Sequence, residues 1–379
     1  MTIRCVLATV FFAASISTCA LSADAAQKAE LWKKLEPLFT VPAEFKDKLA
    51  PHRSLLKFDD GSDVKTADDW KKRRAEILAY WHKMLGPWPA PIEKPKIEFI
   101  DKESLPEFTR HKVKVEVAPE RTANGYLLVP PGKGPFPAIL DVFYYAEDGA
   151  DLTKNKEYYH DFGAEMARRG FVALCIGLEP TKSENDIYYP SHAAATLQPL
   201  SYLAYVSGNC RRALAGMSEV DPKRIGVAGH SYGGKWSMFS AALNEEFAAV
   251  VISDPGIVFD EARPNVNYWE PWYLGYEPGK PFRKRGVLTE EFPRVGPYKQ
   301  IVADGHDLHE LHALIAPRPC FISGGSEDQP LRWMSLNHTI ALNKLLGVEN
   351  HIGMSNRPAH PNTRESREQW ASFFEYFLK

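Results

Sequence analysis

One stretch, Asp221 to Phe239 (DPKRIGVAGHSYGGKWSMF), constrains the chain more than any other. Ile225, Gly226, Val227 and Ala228 form a short small-to-apolar run that reads as a buried strand, and Trp236, Met238, Phe239, Ala241, Ala242 and Leu243 continue from Lys235 as a helix. Between the two stands Gly229-His230-Ser231-Tyr232-Gly233. A G-x-S-x-G at a strand-to-helix junction holds its serine on a strained turn, with glycines where neighbouring backbone passes too close for a Cβ. The plain alternative is a glycine-rich turn with an idle serine, and the flanking strand and helix count against it.

Further buried-strand runs recur on both sides of that turn, at residues 136–145, 171–176, 248–253 and 320–323, with helices expected over 158–169, 199–217 and 331–346. Buried strands alternating with helices at this spacing predict an α/β protein with a doubly wound, mostly parallel sheet. Ligands in such sheets bind beyond the carboxyl ends of the strands, where Ser231 would lie. Period-two alternation at Val113, Val115 and Val117, and again at Tyr126 to Val129, predicts antiparallel edge strands leading into the sheet.

Residues 26–105 read as an N-terminal helical extension packing on a main domain of residues 106–379. Its first helix carries Leu31, Trp32, Leu35 and Leu38. Its second starts at Thr66 with Asp69 three residues later, a capping-box pattern, and carries Trp70, Ile77, Leu78, Trp81 and Leu85 until Gly86. The basic run Lys71 to Arg74 reads as a solvated face, and a second short one spans Arg283 to Arg285. Between about 256 and 311 the rhythm breaks into an aromatic-rich segment long enough to be a cap-like insertion. A last helix is expected from about Thr363 to Phe377.

At 379 residues and 44% hydrophobic, the chain has material for one large core or two modest ones, and its net charge of -2 gives no electrostatic reason to expect nucleic acid or an anionic membrane as partner. Residues 1–25 combine a basic start, an apolar run and Ala23-Asp24-Ala25, the pattern of a secretory signal peptide, so a secreted or periplasmic location is expected. That run is too short and too interrupted for an integral membrane span. Without it the cysteines are Cys175, Cys210 and Cys320, an odd set placed in core elements, and these read as buried free thiols. Nothing in the sequence bears on oligomeric state.

A serine hydroxyl needs a base to take its proton and a third group to fix that base. His360, between the last strand and the last helix, occupies the place for the base. His351 reads as a strand residue and His230 as a packing or hydrogen-bonding one. For the acid, Asp328 follows a late strand and is the first choice, with Glu327 and Asp254 as alternatives. The Tyr232 amide is one expected oxyanion donor; Tyr144 or Tyr145 supplies the other, and Tyr144 is preferred. His306, His309 and His312 read as polar residues on the outside of a short helix. His309-Glu310-Leu311-His312 is one residue short of H-E-x-x-H, so no metal and no cofactor is expected. The aromatics Trp269, Trp272 and Tyr273 suit the apolar faces of sugar rings, or else form the core of the cap.

With these residues in place the chain resembles the α/β-hydrolases of the bacterial acetyl xylan esterase and dienelactone hydrolase group, and is similar to the catalytic domain of prolyl oligopeptidases. The motifs that carry the resemblance are Trp70-x-x-Arg73-Arg74-x-Glu76-Ile77, Asp221-Pro222-x-Arg224-Ile225 through Gly229-His230-Ser231-x-Gly233-Gly234, and Ala313-Leu314-Ile315-Ala316-Pro317-Arg318-Pro319. The resemblance implies Ser231 as nucleophile, Asp328 as acid and His360 as base. Lys235, four residues after the nucleophile, stands where glucuronoyl esterases carry a sugar-contacting lysine, although Tyr232 replaces the arginine those enzymes usually place after the serine. The leading expectation is an exported serine esterase that removes acyl groups, acetyl above all, from plant or algal polysaccharide. A glucuronoyl methylesterase, a serine peptidase of the prolyl oligopeptidase type and a non-catalytic carbohydrate-binding protein are the alternatives.

Overall fold

A computed structural model describes residues 25–153, 160–179, 186–280 and 285–379. The expected export leader, all but Ala25, lies outside these residues, as do the start of the helix expected at 158 and most of the run 283–285. Helix α1 covers 25–39. After it come α2 (Ala67–Leu85), β1 (Ile97–Ser104), β2 (Thr109–Ala118), β3 (Arg121–Val129), β4 (Phe136–Phe143), α3 (Ala146–Gly149), α4 (Phe162–Arg168), β5 (Val172–Gly177) and α5 (Pro199–Ala215). The chain continues through β6 (Val220–His230), α6 (Tyr232–Leu243), β7 (Ala249–Ser253), α7 (Gly296–Ala303), α8 (His309–Ile315), β8 (Cys320–Gly324), α9 (Trp333–Leu345), β9 (Ile352–Asn356) and α10 (Arg364–Leu378).

The nine strands make one sheet in the order β1-β2-β3-β5-β4-β6-β7-β8-β9. The four strands β1, β2, β3 and β5 pair antiparallel, and from β5 onward every pairing is parallel. The parallel strands are apolar on both faces because helices cover both. Their period of two sorts the core. Leu140, Val227, Val250, Ile252 and Ile322 face α2, α5, α6, α8 and α9, while Ile139, Ala228, Val251 and Phe321 face α1, α4 and α10.

The N-terminal extension is anchored rather than draped. Thr66 caps α2 in the expected reciprocal box with Asp69, and Trp81, fully buried, donates its indole N–H to Glu310 at 2.8 Å. Arg73 departs from the solvated reading: it is buried and paired with Asp59 and Glu76, since its position on α2 turns it inward between two acids. His306, His309 and His312 are also buried, not external. His306 meets Glu310 and the Arg53 guanidinium, and His309 Nε2 donates to the Arg53 carbonyl, so these two histidines tie α8 to the extension. The three cysteines of the described residues are buried free thiols.

Candidate active site

Strand β6 ends at His230 and α6 begins at Tyr232, leaving Ser231 alone at the turn with φ 55 and ψ -110. That left-handed conformation is rare for a residue with a side chain and strains the backbone. The surrounding glycines are required by contact. A Cβ on Gly229 would meet the Gly233 carbonyl oxygen at 2.2 Å, and one on Gly233 would meet the Val142 oxygen at 2.1 Å. The Ser231 amide donates to the Ser253 carbonyl at 2.8 Å, which ties the turn to the end of β7.

Above the turn, His360 Nε2 lies 2.8 Å from Ser231 Oγ, and His360 Nδ1 lies 2.7 Å from an Asp254 carboxylate oxygen. The acid beside the histidine is therefore Asp254, at the end of β7, and not Asp328. Both carboxylates are fully buried, and the chain uses them differently. One Asp254 oxygen accepts the amides of Gly325, Glu327 and Asp328 at 2.6, 3.1 and 2.8 Å, which leaves the other for the imidazole. The Asp328 carboxylate accepts the amides of Gly256 and Ile257 at 2.9 and 2.6 Å. The two aspartates thus clamp each other's loops, and Asp328 is consumed in that clamp. Burial, with the neighbouring Asp254 charge second, pushes the Asp328 carboxyl up from the usual carboxylate range. Glu327 points elsewhere, toward Asn265 and Ser326.

The serine opens into a cleft of about 240 Å³ lined by Phe143, Tyr144, His160, His230, Ser231, His360 and Pro361. Tyr232 begins α6, so its amide has no carbonyl one turn earlier in the helix to satisfy it. Its own side chain turns away, donating to the Leu178 carbonyl at 2.7 Å and stacking on Tyr144 with ring centroids 4.6 Å apart. His230 is the hydrogen-bonding residue the sequence suggested, with Nδ1 3.1 Å from Ser253 Oγ. His351 lies just ahead of β9 and contacts the Pro317 carbonyl, remote from the cleft. Sequence reasoning missed His160, whose place before α4 carries no motif. Burial draws its imidazole down to about 4, so it is neutral near pH 7.

The substrate contacts expected of Lys235, Trp269, Trp272 and Tyr273 are not formed by exposed groups. Lys235 is buried, and its ammonium donates to the carbonyls of Pro255 and Asn265 at 2.8 and 2.9 Å, beneath the rings of Tyr268 and Tyr273. Burial pulls it down to about 7. Trp269, Trp272 and Tyr273 belong to the main core with Tyr268, Leu274 and Tyr276, and the Trp269 indole donates to the Gly286 carbonyl at 3.0 Å. The insertion is sealed onto α5 and α6 instead of presenting a ring-lined shelf, because Gln198 and Lys235 fasten its backbone.

A parallel sheet with a serine on a strained turn, a histidine from the last loop and a buried carboxylate defines the class: the protein is an α/β-hydrolase carrying the serine machinery of a carboxylic ester hydrolase. Within that class it is similar to the 4-O-methyl-glucuronoyl methylesterase of Thermothelomyces thermophilus, with 24% identity over 337 residues, 84% of this chain and 79% of that protein. In structure it is similar to a glucuronoyl esterase from Solibacter usitatus, with a TM-score of 0.68 and 17% identity over 89% of this chain and 100% of that one. A carbohydrate esterase family 15 glucuronoyl esterase from Caldicellulosiruptor kristjansonii superposes with a TM-score of 0.60 and 19% identity, over 89% of this chain and 93% of the other. No family model matches the chain. Among the described residues no helix is long and apolar enough to cross a membrane.

Proposed function

We propose that the protein is an exported carbohydrate esterase of the glucuronoyl type, cleaving the ester between a uronic acid carboxyl and an alcohol. The observation that carries this reading is the assembled Ser231, His360 and Asp254 contact set in a chain whose relatives are glucuronoyl esterases. The glucuronoyl alternative thereby displaces acetyl removal as the preferred reading. In the proposed reaction His360 Nε2 takes the Ser231 proton as Oγ attacks the ester carbonyl, and Asp254 stabilises the imidazolium through Nδ1–H. The oxyanion is met by the Tyr232 amide at the α6 N-terminus, with Tyr144 as the proposed second donor. The alcohol leaves with the proton held on His360, and water hydrolyses the uronoyl-serine ester by the reverse proton path. Export through residues 1–25 delivers the enzyme to its polysaccharide.

The test is hydrolysis by the purified protein of the methyl or benzyl ester of glucuronic acid, set against acetylated xylan and short peptide amides. Glucuronate ester turnover dominates on this reading, and Ser231→Ala lowers it by roughly 10⁶-fold with the fold intact. Faster deacetylation of xylan restores the acetyl esterase reading, and full activity of Ser231→Ala removes both.

A further inference from the structure

Beneath the histidine and the carboxylate lies a guanidinium that the chemistry above does not use. Arg357 follows β9 directly, its residue is 8% exposed, and among the described residues no carboxylate lies within ion-pair distance of it. A buried cation without a contacting anion is costly unless all its donors are satisfied. Here they are satisfied by oxygens of three separate segments. Nε donates to the Pro361 carbonyl at 2.7 Å, and Nη2 donates to the His360 carbonyl at 2.6 Å and to Ser253 Oγ at 3.3 Å. Nη1 donates to the Ser323 carbonyl at 2.9 Å, to Ser323 Oγ at 3.1 Å and to the Gly324 carbonyl at 3.2 Å.

The placement of those oxygens is informative. Ser253 immediately precedes Asp254, and its own carbonyl receives the Ser231 amide. Its hydroxyl also approaches Asn362 in the histidine loop, at 3.2 Å, and His230 beside the nucleophile, at 3.1 Å. Ser323 and Gly324 end β8, whose following loop donates three amides to Asp254. His360 is on a loop and has no strand or helix to fix its backbone. We infer that Arg357 is the positioning residue of the hydrolytic site: its planar fork fixes the backbone of the histidine loop against the ends of β7 and β8, and so sets the His360 ring between Ser231 and Asp254.

This rests on the serine, histidine and carboxylate mechanism proposed above and adds what holds it in register. A lysine keeps the charge but offers three donors from a single point in place of five on a planar fork, so it cannot reproduce this set of contacts. Displacing the imidazole by about 1 Å is enough to lower the rate on the order of 10²-fold. Such a change acts on the chemical step and leaves substrate contacts in place.

The experiment compares Arg357→Lys, Arg357→Ala and Ser231→Ala on a glucuronate ester, with circular dichroism and thermal unfolding as checks of fold. Arg357→Lys is expected to lower kcat on the order of 10²-fold with KM little changed. Arg357→Ala is expected to lose more and to recover part of its kcat when millimolar guanidinium is added, a recovery that a general loss of stability would not show. Folded Arg357→Lys with the parent kcat, while Ser231→Ala is inactive, overturns the role of Arg357 and leaves the esterase reading standing. An active Ser231→Ala overturns the esterase reading itself. If both arginine variants fail to fold, the rate of fluorophosphonate labelling in Arg357→Gln decides, with a parent-like rate counting against the inference.

Discussion

The Nδ1 of His360 lies 2.7 Å from a carboxylate oxygen of Asp254, a residue 106 positions earlier that directly follows β7. Asp328, the aspartate at the end of the β8 loop, faces the backbone of Gly256 and Ile257 instead. Asp254→Asn is therefore expected to lower kcat by roughly 10⁴-fold with KM little changed, by presenting the wrong hydrogen-bonding partner to the ring. Asp328→Asn is expected to keep far more activity and to lose thermal stability, since it weakens two amide contacts. Steady-state kinetics and thermal melts of the two variants check the assignment. A greater kcat loss in Asp328→Asn would reverse it.

Lys235→Met tests whether the lysine serves substrate or structure. The ammonium holds the carbonyls of Pro255 and Asn265. Removing it strands the buried Pro255 oxygen at a cost of about 1–3 kcal/mol. The expected result is a melting temperature lower by several degrees, with KM for a glucuronate ester within a few-fold of the parent. A large rise in KM with an unchanged melt would show direct sugar contact.

Acid should destabilise the protein through His312. Both its ring nitrogens are buried without a hydrogen-bond partner among the described residues, and burial draws its pKa down from 6.5 to about 3. Between those values the unfolded chain binds a proton that the folded chain does not, so stability falls as pH falls through that window and is unaffected above it. At pH 5 the contribution is about 2 kcal/mol. His312→Leu is expected to raise the melting temperature more at pH 5 than at pH 8. An equal change at both values would contradict a neutral buried imidazole.

Trp81→Ala probes the union of extension and main body. The indole is fully buried and donates to Glu310, so the substitution leaves both a cavity and a buried carboxylate oxygen short of a partner. A loss of about 3–5 kcal/mol is expected. Chemical denaturation should show one cooperative transition moved to lower denaturant. Two separated transitions would mean that residues 25–85 fold apart from the sheet.

Much of this molecule is legible along the chain because the signals are local. The sheet strands announce themselves by apolar runs, and the Ser231 turn by glycines that contact forbids replacing. The α2 start is written in Thr66 and Asp69, two residues that bond each other. Other features depend on what a distant segment covers. The spacing of His306, His309 and His312 is that of any amphiphilic turn, and only the packing of distant segments around them, the Arg53 carbonyl of the extension and His338 of α9 among them, buries them. The ring-rich stretch around Trp269 and Trp272 reads equally as a sugar shelf or a core, and its fastening by Gln198 and Lys235 makes it core.

By itself the sequence determined the strand-helix alternation, the strained serine and the histidine of the last loop, because each follows from neighbouring residues and the sterics they impose. Tertiary structure alone decided which aspartate meets that histidine and where the Lys235 charge goes. Two carboxylates at the ends of adjacent strands differ little in local pattern. Their roles separate only when the loops after β7 and β8 cross, and the amides of one loop fill the oxygens of the other.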